Sequence, residues 1–360
     1  MKNTPPIVIG GGPAGAAAAI LLGRAGAYPV VYERRESVGD ALCGGFLSWT
    51  TLRRLGELGV SGEALGGHIV HTLRLTAGQQ AWRMALPESG MGVSRLRLDS
   101  MLLARAEGVG AEIRRATVRY EDGTFQLPDG QAIEADSIFL ATGKHDMRGL
   151  PRSRAAAKGD PFLGLRMRFA AKPELREQLS GAIEMHLFPK GYAGLVLHEG
   201  GFANLCMAVR KSRLAQAGGS PERLLAQLAE GDTPLARRIA ALPTQECMDA
   251  IGHVPYGWRA VETQPGLFRL GDQAGVIPSL AGEGIGIALV SARLATDAWI
   301  SDGPVAAEAF QRAFAARLRS RLAFAGAISG IATSRHVAPL FGIVASIPGL
   351  ARLMGNLTRI

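Results

Sequence analysis

The chain has 360 residues and a formal net charge of +9, which raises the prior for an anionic partner. Its basic residues are dispersed rather than run together, and aromatic residues make up only 6% of the chain, so nucleic acid is not the expected partner. The 3 cysteines, Cys43, Cys206 and Cys247, lie far apart and give neither a disulfide framework nor metal-ligand spacing.

The chain enters a buried strand at once ("IVI", residues 7–9), so no signal peptide is expected and a cytoplasmic protein fits. "GGGPAG" follows, then a small-residue helix, then "PVVYERR", a second strand that ends in an acid. This β-turn-α-β order places Gly10-x-Gly12-x-x-Gly15 where a dinucleotide is bound, with Pro13 and Ala14 inside the turn. Gly10 permits the sharp turn, Gly12 lets the backbone approach a pyrophosphate, and Gly15 lets the helix pack on the strand. The helix start offers free N–H groups to the phosphates. Glu33, with Arg34 beside it, closes the second strand, where a carboxylate accepts from ribose hydroxyls. An acid here suits FAD or NAD rather than NADP.

Beyond this unit lies the loop "DALCGGFLSWTT" (residues 40–51), then a helix around residues 50–59 with Leu52, Leu55 and Leu58 on one face. Residues 68–87 alternate like hairpin strands, 95–108 read as a helix, and 112–135 as strands joined by turns. "DSIFLATG" is a buried strand ending in glycine. After Pro151 four strand-like segments ("LGLRMRFA", "AIEMHLFP", "YAGLVLHEG", "FANLCMAVR") predict a separate, largely antiparallel sheet. Residues 221–242 read as helical, "GLFRLGDQAG" returns to a buried strand, and a long helix runs from about 283 to 300. The tail from 305 is helical and rich in Ala and Arg, with Arg317, Arg319, Arg321 and Arg335 on a solvated face. Its apolar run 337–351 is too short to span a bilayer. That run reads either as a buried cap or as an interfacial anchor, so peripheral membrane contact stays open.

"GLFRLGDQAGVIPSLAGEGIGIALVSARLATDAW" (residues 266–299) resembles the second FAD signature of flavoproteins of the glutathione-reductase-fold superfamily. The resemblance implies that Gly271 and Asp272 hold ribityl and pyrophosphate groups, and that Gly284, Ile285 and Gly286 open a helix facing the flavin. "GVSRLRLDSMLLARA" (92–106) is similar to the R-x-x-L-D-x-x-L helix of aromatic hydroxylases and geranylgeranyl reductases, which implies Arg95 near the cofactor. "IFLATG" (138–143) looks like the FAD-contacting element, implying Ala141, Thr142 and Gly143, and the family adds a backbone contact at Val118. "CGGFLS" resembles the flavin-side loop of the group, implying Cys43 and Gly44 at the flavin edge.

The chain is thus identified as similar to the single-component hydroxylase and geranylgeranyl-reductase group. The implied fold class is α/β: a Rossmann-like, GR2-type FAD-binding domain (residues 1–65, 92–150 and 250–304), an inserted, largely antiparallel β-sheet substrate domain (66–91 and 151–249) and a helical C-terminal cap (305–360). The implied function is an FAD-dependent monooxygenase acting through a flavin C4a-hydroperoxide on a hydrophobic phenolic or polyketide-like molecule, with O2 and NAD(P)H. The alternative is a reductase of C–C double bonds; a third reading is a non-catalytic flavoprotein held by its tail. Two departures from relatives stand out. Asp146 is followed by Met147 where aromatic hydroxylases carry Asp-Gly, and the tryptophan-rich element of flavin halogenases is absent. Candidate pocket residues are Cys43, Trp49, His186, Tyr192 and Pro278, with Phe188 and His198 nearby in sequence. A histidine in that sheet is most simply a satisfied core residue. Lys144, His145, Asp146 and Arg148 form a charged cluster that reads as structural, with steering of a nicotinamide cofactor as the rival. No metal is expected.

Overall fold

The computed structural model describes residues 4–152, 159–243, 248–252 and 254–334. Cys247, Arg335 and the apolar run 337–351 lie outside the described residues.

Two large sheets organise these residues. The first is five-stranded and wholly parallel, in the order Leu267–Arg269, Ile138–Leu140, Ile7–Ile9, Val30–Glu33, Glu112–Arg115. Its central strands are short, continuous apolar runs, as strands covered on both faces must be. One face carries the helix Pro13–Arg24, where Ala16 to Ala19 are fully buried against the helices Arg95–Glu107 and Gly284–Asp302. Small side chains allow that close approach. A Cβ at Gly15 would stand 1.8 Å from the carbonyl oxygen of Gly10. Phe139 and Phe268 stack at 4.8 Å between ring centroids behind this layer.

The second sheet has eight strands, in the order Asp249–Ile251, Phe162–Ala170, Phe202–Arg210, Gly191–Leu197, Ala182–Phe188, His68–Ala77, Gln80–Gly92, Phe46–Leu47. Only the pairing of Ala182–Phe188 with His68–Ala77 is parallel. The expected antiparallel sheet is therefore present, and the alternation along its strands sorts the residues onto two faces. Leu165, Met167, Leu195, Leu205 and Met207 form an outer core with Leu175, Leu179, Leu224 and Leu235 of the covering helices. The opposite face carries Arg166, Asn204, Cys206, Gly194, Tyr192 and Met185, and it meets the loop of residues 40–45.

Some boundaries differ from the sequence reading. Residues 221–242 form two helices, Pro221–Ala229 and Pro234–Ala240, because Gly231 takes φ +91° and Thr233 caps a new start before Pro234. The second hairpin strand runs on to Gly92 rather than ending near residue 87. The tail forms a 27-residue helix, Ala306–Ala332, that buries Phe310, Phe314, Leu318 and Leu322 in the first core. Arg317 and Arg319 on it are exposed, as expected. Among the described residues no helix is long and apolar enough to cross a membrane.

Candidate functional site

The turn after the first strand is a cradle that only glycine can line. Gly10 takes φ +105°, and a Cβ on it would lie 2.4 Å from the carbonyl oxygen of Ala141. Gly12 caps the helix Pro13–Arg24 and has no side chain to satisfy the first N–H groups. Nothing but the Arg95 guanidinium, at 3.5 Å, stands in front of a Cβ at that position. Arg95 is held by a two-pronged ion pair with Asp99, at 2.8 and 2.7 Å. A cation and an uncapped helix start thus face the same space, the chemistry a pyrophosphate requires. Glu33 accepts from the Gly11 N–H at 2.7 Å and the Arg35 N–H at 3.0 Å, which fixes the carboxylate beside the turn. The helix Gly284–Asp302 likewise starts at Glu283 without a side-chain cap. A Cβ at Gly44, Gly143 or Gly284 would meet nothing within 4 Å, so backbone lines open space at all three places. These residues fit an extended dinucleotide with a flat ring at its far end.

The loop of residues 40–45 is held by its carbonyl oxygens, from the second sheet and from the turn after the strand Ile138–Leu140. Arg166 donates to Ala41 at 3.1 Å, Lys144 to Leu42 at 2.9 Å, and Asn204 to Cys43 and Gly44 at 3.1 and 2.9 Å. Asn204 is fully buried. Lys144 is itself positioned by its neighbours. Arg152 donates to its carbonyl oxygen at 2.5 Å and to that of Asp272 at 3.0 Å, while Gln273 bridges the carbonyls of Gly143 and His145 at 2.9 and 3.0 Å.

Beside this loop one row of the sheet stays accessible. Met185, Gly194 and Cys206 are cross-strand partners in one row, and each keeps partial exposure within an otherwise buried face. A Cβ at Gly194 would lie 3.7 Å from the Cys206 carbonyl oxygen and 3.8 Å from the Met185 methyl group. Tyr192, Leu187 and Ala208 form the next row and are buried with Leu75 and Ala77. Tyr256 and Ser279 share a hydrogen bond at the rim, in the turn that Pro278 begins. Burial raises the pKa of the Tyr256 hydroxyl, raises that of Tyr192 well above its usual range, and pushes the Cys206 thiol up to about 12. Burial works against the charge on Lys144, yet the fields of Tyr256, Cys43, Asp272 and Cys206 outweigh it and raise its pKa. Among the described residues no His/Cys/Asp/Glu cluster could hold a metal.

Residues 3–147 match the FAD binding domain family. FAD is therefore the cofactor of this chain. This flavoprotein is 31% identical over 157 residues to a menaquinone reductase of Mycobacterium tuberculosis, a match spanning 40% of the chain and 38% of that relative. It is 26% identical over 330 residues to digeranylgeranylglycerophospholipid reductase 2 of Methanopyrus kandleri, covering 85% of the chain and 77% of the relative. Its fold is similar to that of PqsL from Pseudomonas aeruginosa, described as a probable FAD-dependent monooxygenase. There the TM-score is 0.73 at 19% identity, covering 95% of this chain and 100% of that one.

The flavoprotein fold gathers most of the residues singled out in its sequence. Gly10, Gly12, Gly15, Glu33, Arg95 and Ala141 surround the first turn. Gly271 and Asp272 meet Gly143 through Gln273. Thr142 turns its hydroxyl back to the His145 carbonyl at 3.0 Å. Arg34 is exposed, and Val118 is buried in the cluster with Ile9, Tyr32 and Leu140. Trp49 is buried at the first turn of the helix Trp49–Glu57, which follows the loop.

His186 needs correction as a pocket candidate. Its cross-strand partner is Ala193, so it faces away from Tyr192 toward the outer layer. There it bonds Thr76 at 2.7 Å and Glu184 at 3.2 Å, beside a cavity of about 650 Å³ lined also by Arg74 and Arg238. Phe188, the other candidate on that strand, joins the outer core as well. His198, by contrast, is buried, and among the described residues neither ring nitrogen has a hydrogen-bond partner. Sequence reasoning missed Arg166, Asn204, Cys206, Gly194, Tyr256 and Ser279, and took Lys144 as structural. Strand alternation was the available signal: Asn204 and Cys206 are two apart and so share a face.

Proposed function

We propose that this flavoprotein is an FAD-dependent monooxygenase of a hydrophobic phenolic or polyketide-like small molecule, with NAD(P)H as reductant. The balance is substrate–H + O2 + NAD(P)H + H⁺ → substrate–OH + H2O + NAD(P)⁺. The observation that supports this reading is the partly exposed row Met185, Gly194 and Cys206 on an otherwise buried face, beside a loop whose carbonyls are held by Lys144 and Asn204. When bound, FAD supplies the electron transfer and the reaction with O2.

The chain's own residues supply position and dryness. Arg95, the start of the helix Pro13–Arg24 and Glu33 bind the dinucleotide. Asn204, Lys144 and Arg166 hold the loop in place, which fixes the ring edge relative to the row Met185, Gly194 and Cys206. Tyr192, Leu187 and Ala208 exclude water from one side, and Gly194 leaves room for a flat substrate. The division into an FAD-binding part (1–65, 92–150, 250–304), a substrate part (66–91, 151–249) and a cap from 305 belongs to the same proposal, as do the cofactor contacts of Pro13, Ala14, Arg34, Val118, Ile285 and Gly286.

The test is turnover of the purified holoenzyme with NADPH or NADH and a panel of phenols and hydroxynaphthalenes under ¹⁸O2. A hydroxylated product carrying one ¹⁸O is expected. NAD(P)H oxidation that yields only hydrogen peroxide across the panel would sink the reading. A second reading, reduction of a C–C double bond, draws on the named reductases among the relatives. A saturated product formed anaerobically would favour it.

A further inference from the structure

We propose that the cavity on the outer face of the second sheet, beside the helix Pro234–Ala240, is a second small-molecule site. Its ligand carries a phosphate group, held by Arg74, Arg83 and Arg237. This goes beyond the monooxygenase reading and does not depend on it.

The first observation is the position of the cavity. The register sets Arg74 between Arg83 and Glu184, and Thr76 beside His186. Alternation turns all five away from the face that carries Tyr192, Gly194 and Cys206. There they line a cavity of about 650 Å³ together with Arg237 and Arg238 of the helix. A space of that size accepts a small organic molecule. The sheet stands between it and the loop of residues 40–45, so its occupant takes no part in electron transfer to the flavin.

The second observation is an excess of cations. Four arginines line the cavity against one carboxylate, Glu184, and that carboxylate is already occupied. Glu184 accepts from two nitrogens of Arg238, at 2.8 Å each, and from Arg74 at 3.2 Å, with the His186 Nε2 also at 3.2 Å. The other ring nitrogen of His186 is paired with Thr76. The floor is thus satisfied within itself, and it fixes Arg74 and Arg238 in place.

The third observation is that the rim is not satisfied. Arg74 spends only its Nη1, on Glu184 and on the Gln178 carbonyl, which leaves Nε and Nη2 without a partner among the described residues. Arg83 is exposed and makes no hydrogen bond or ion pair among the described residues. It stands directly opposite Arg74 on the neighbouring strand, and like charges so placed repel each other. Arg237 has only an exposed pair with Asp232, which holds it weakly. An anion seated among the three would relieve the repulsion and fill the open donors.

The donor set picks the anion. A guanidinium fork binds phosphate or carboxylate oxygens two at a time. Three forks, from two strands and a helix, suit the three oxygens of a phosphate group, where a carboxylate offers two. Ala81, Pro234 and Ala241 supply apolar wall for the body of the ligand.

The experiment is isothermal titration calorimetry on the oxidised holoenzyme, with inorganic phosphate, AMP and uncharged adenosine as probes. AMP or phosphate is expected to bind saturably, adenosine not, and the flavin absorbance is expected to stay unchanged. Arg83→Ala and Arg237→Ala, both at exposed positions, are each expected to weaken binding at least about tenfold, the scale of one lost charge-assisted pair. Arg319→Ala, on the tail helix, removes the same charge elsewhere and is expected to leave binding unchanged. AMP binding tighter than phosphate would support a phosphorylated organic ligand, and equal binding would support the free anion at the same site. The proposal is overturned if neither probe binds, if adenosine binds as well as AMP, or if Arg83→Ala and Arg237→Ala weaken binding no more than Arg319→Ala. A flavin absorbance change that tracks the titration would place the ligand on the other face and overturn it equally. No turnover is involved, so this test and the phenol panel fail or succeed separately.

Discussion

A Cβ at Gly45 would stand 2.0 Å from the Nε2 of His198, and Gly45 itself takes φ +69°. The loop thus reaches the second sheet at a point where neither a side chain nor an ordinary backbone conformation is allowed. Gly45→Ala is expected to cost about 1–3 kcal/mol of stability, from the left-handed conformation and the displaced imidazole together. Adding His198→Ala should return part of that loss, because it removes the obstacle but not the backbone strain. Urea unfolding of the two single variants and the double variant measures the coupling. Strict additivity would show that the contact carries no energy.

Asn204 gives its amide to two successive carbonyls of the loop, those of Cys43 at 3.1 Å and Gly44 at 2.9 Å. Asn204→Ala should loosen the loop without altering the outer core, where Leu205 and Met207 point the other way. The expected result is an FAD dissociation constant raised about tenfold, the scale of one or two lost hydrogen bonds, with a melting temperature of the apoprotein nearly unchanged. An unaltered FAD affinity would show that the loop does not shape the cofactor site.

The cofactor cradle was legible because its physics is local. Gly10, Gly12, Gly15 and Glu33 lie within one β-turn-α-β unit, and each follows from a spacing in the chain. The second sheet was legible as a set of strands, since four apolar segments after Pro151 alternate cleanly. Its faces were not. Whether His186 or Tyr192 points to the loop depends on the register with the neighbouring strand, and a shift of one residue exchanges them. The accessible row was invisible for a related reason. Gly194 reads as a weak spot in a strand until Met185 and Cys206 are known to flank it. Lys144 looked like one charge among several because the carbonyl it bonds, that of Leu42, is distant in sequence.

Cys43 and Cys206 face the same space, and burial holds the Cys206 thiol up at about 12. A thiol so disposed is not a nucleophile at neutral pH. Cys206 is expected to resist iodoacetamide in the folded protein and to react once urea is added, with peptide mass spectrometry as the readout. Cys43→Ala should retain FAD and change turnover by no more than about tenfold, the scale of a lost soft contact. Loss of all activity with FAD retained would make Cys43 a covalent participant.

The buried His198 and Glu184 give the protein two separate acid-sensitive windows. Burial drives the pKa of His198 down from 6.5 to about 4, against the raising field of Glu199. The unfolded chain therefore takes up a proton that the native state refuses as pH falls from 6.5 toward 4. The stabilisation is complete above 6.5 and is lost across that interval, by about 2 kcal/mol between about pH 7 and pH 5. Burial alone would raise Glu184, but its hydrogen bonds from Arg238 and His186 hold it at about 2, below its ordinary 4.5. Its contribution is present above 4.5 and disappears only between 4.5 and 2. His198→Gln should flatten the upper window and leave the lower one, while Glu184→Gln should do the reverse. Urea unfolding across this pH range separates them, and a wild-type stability that stays level from about pH 7 to pH 5 would show that His198 is not held neutral.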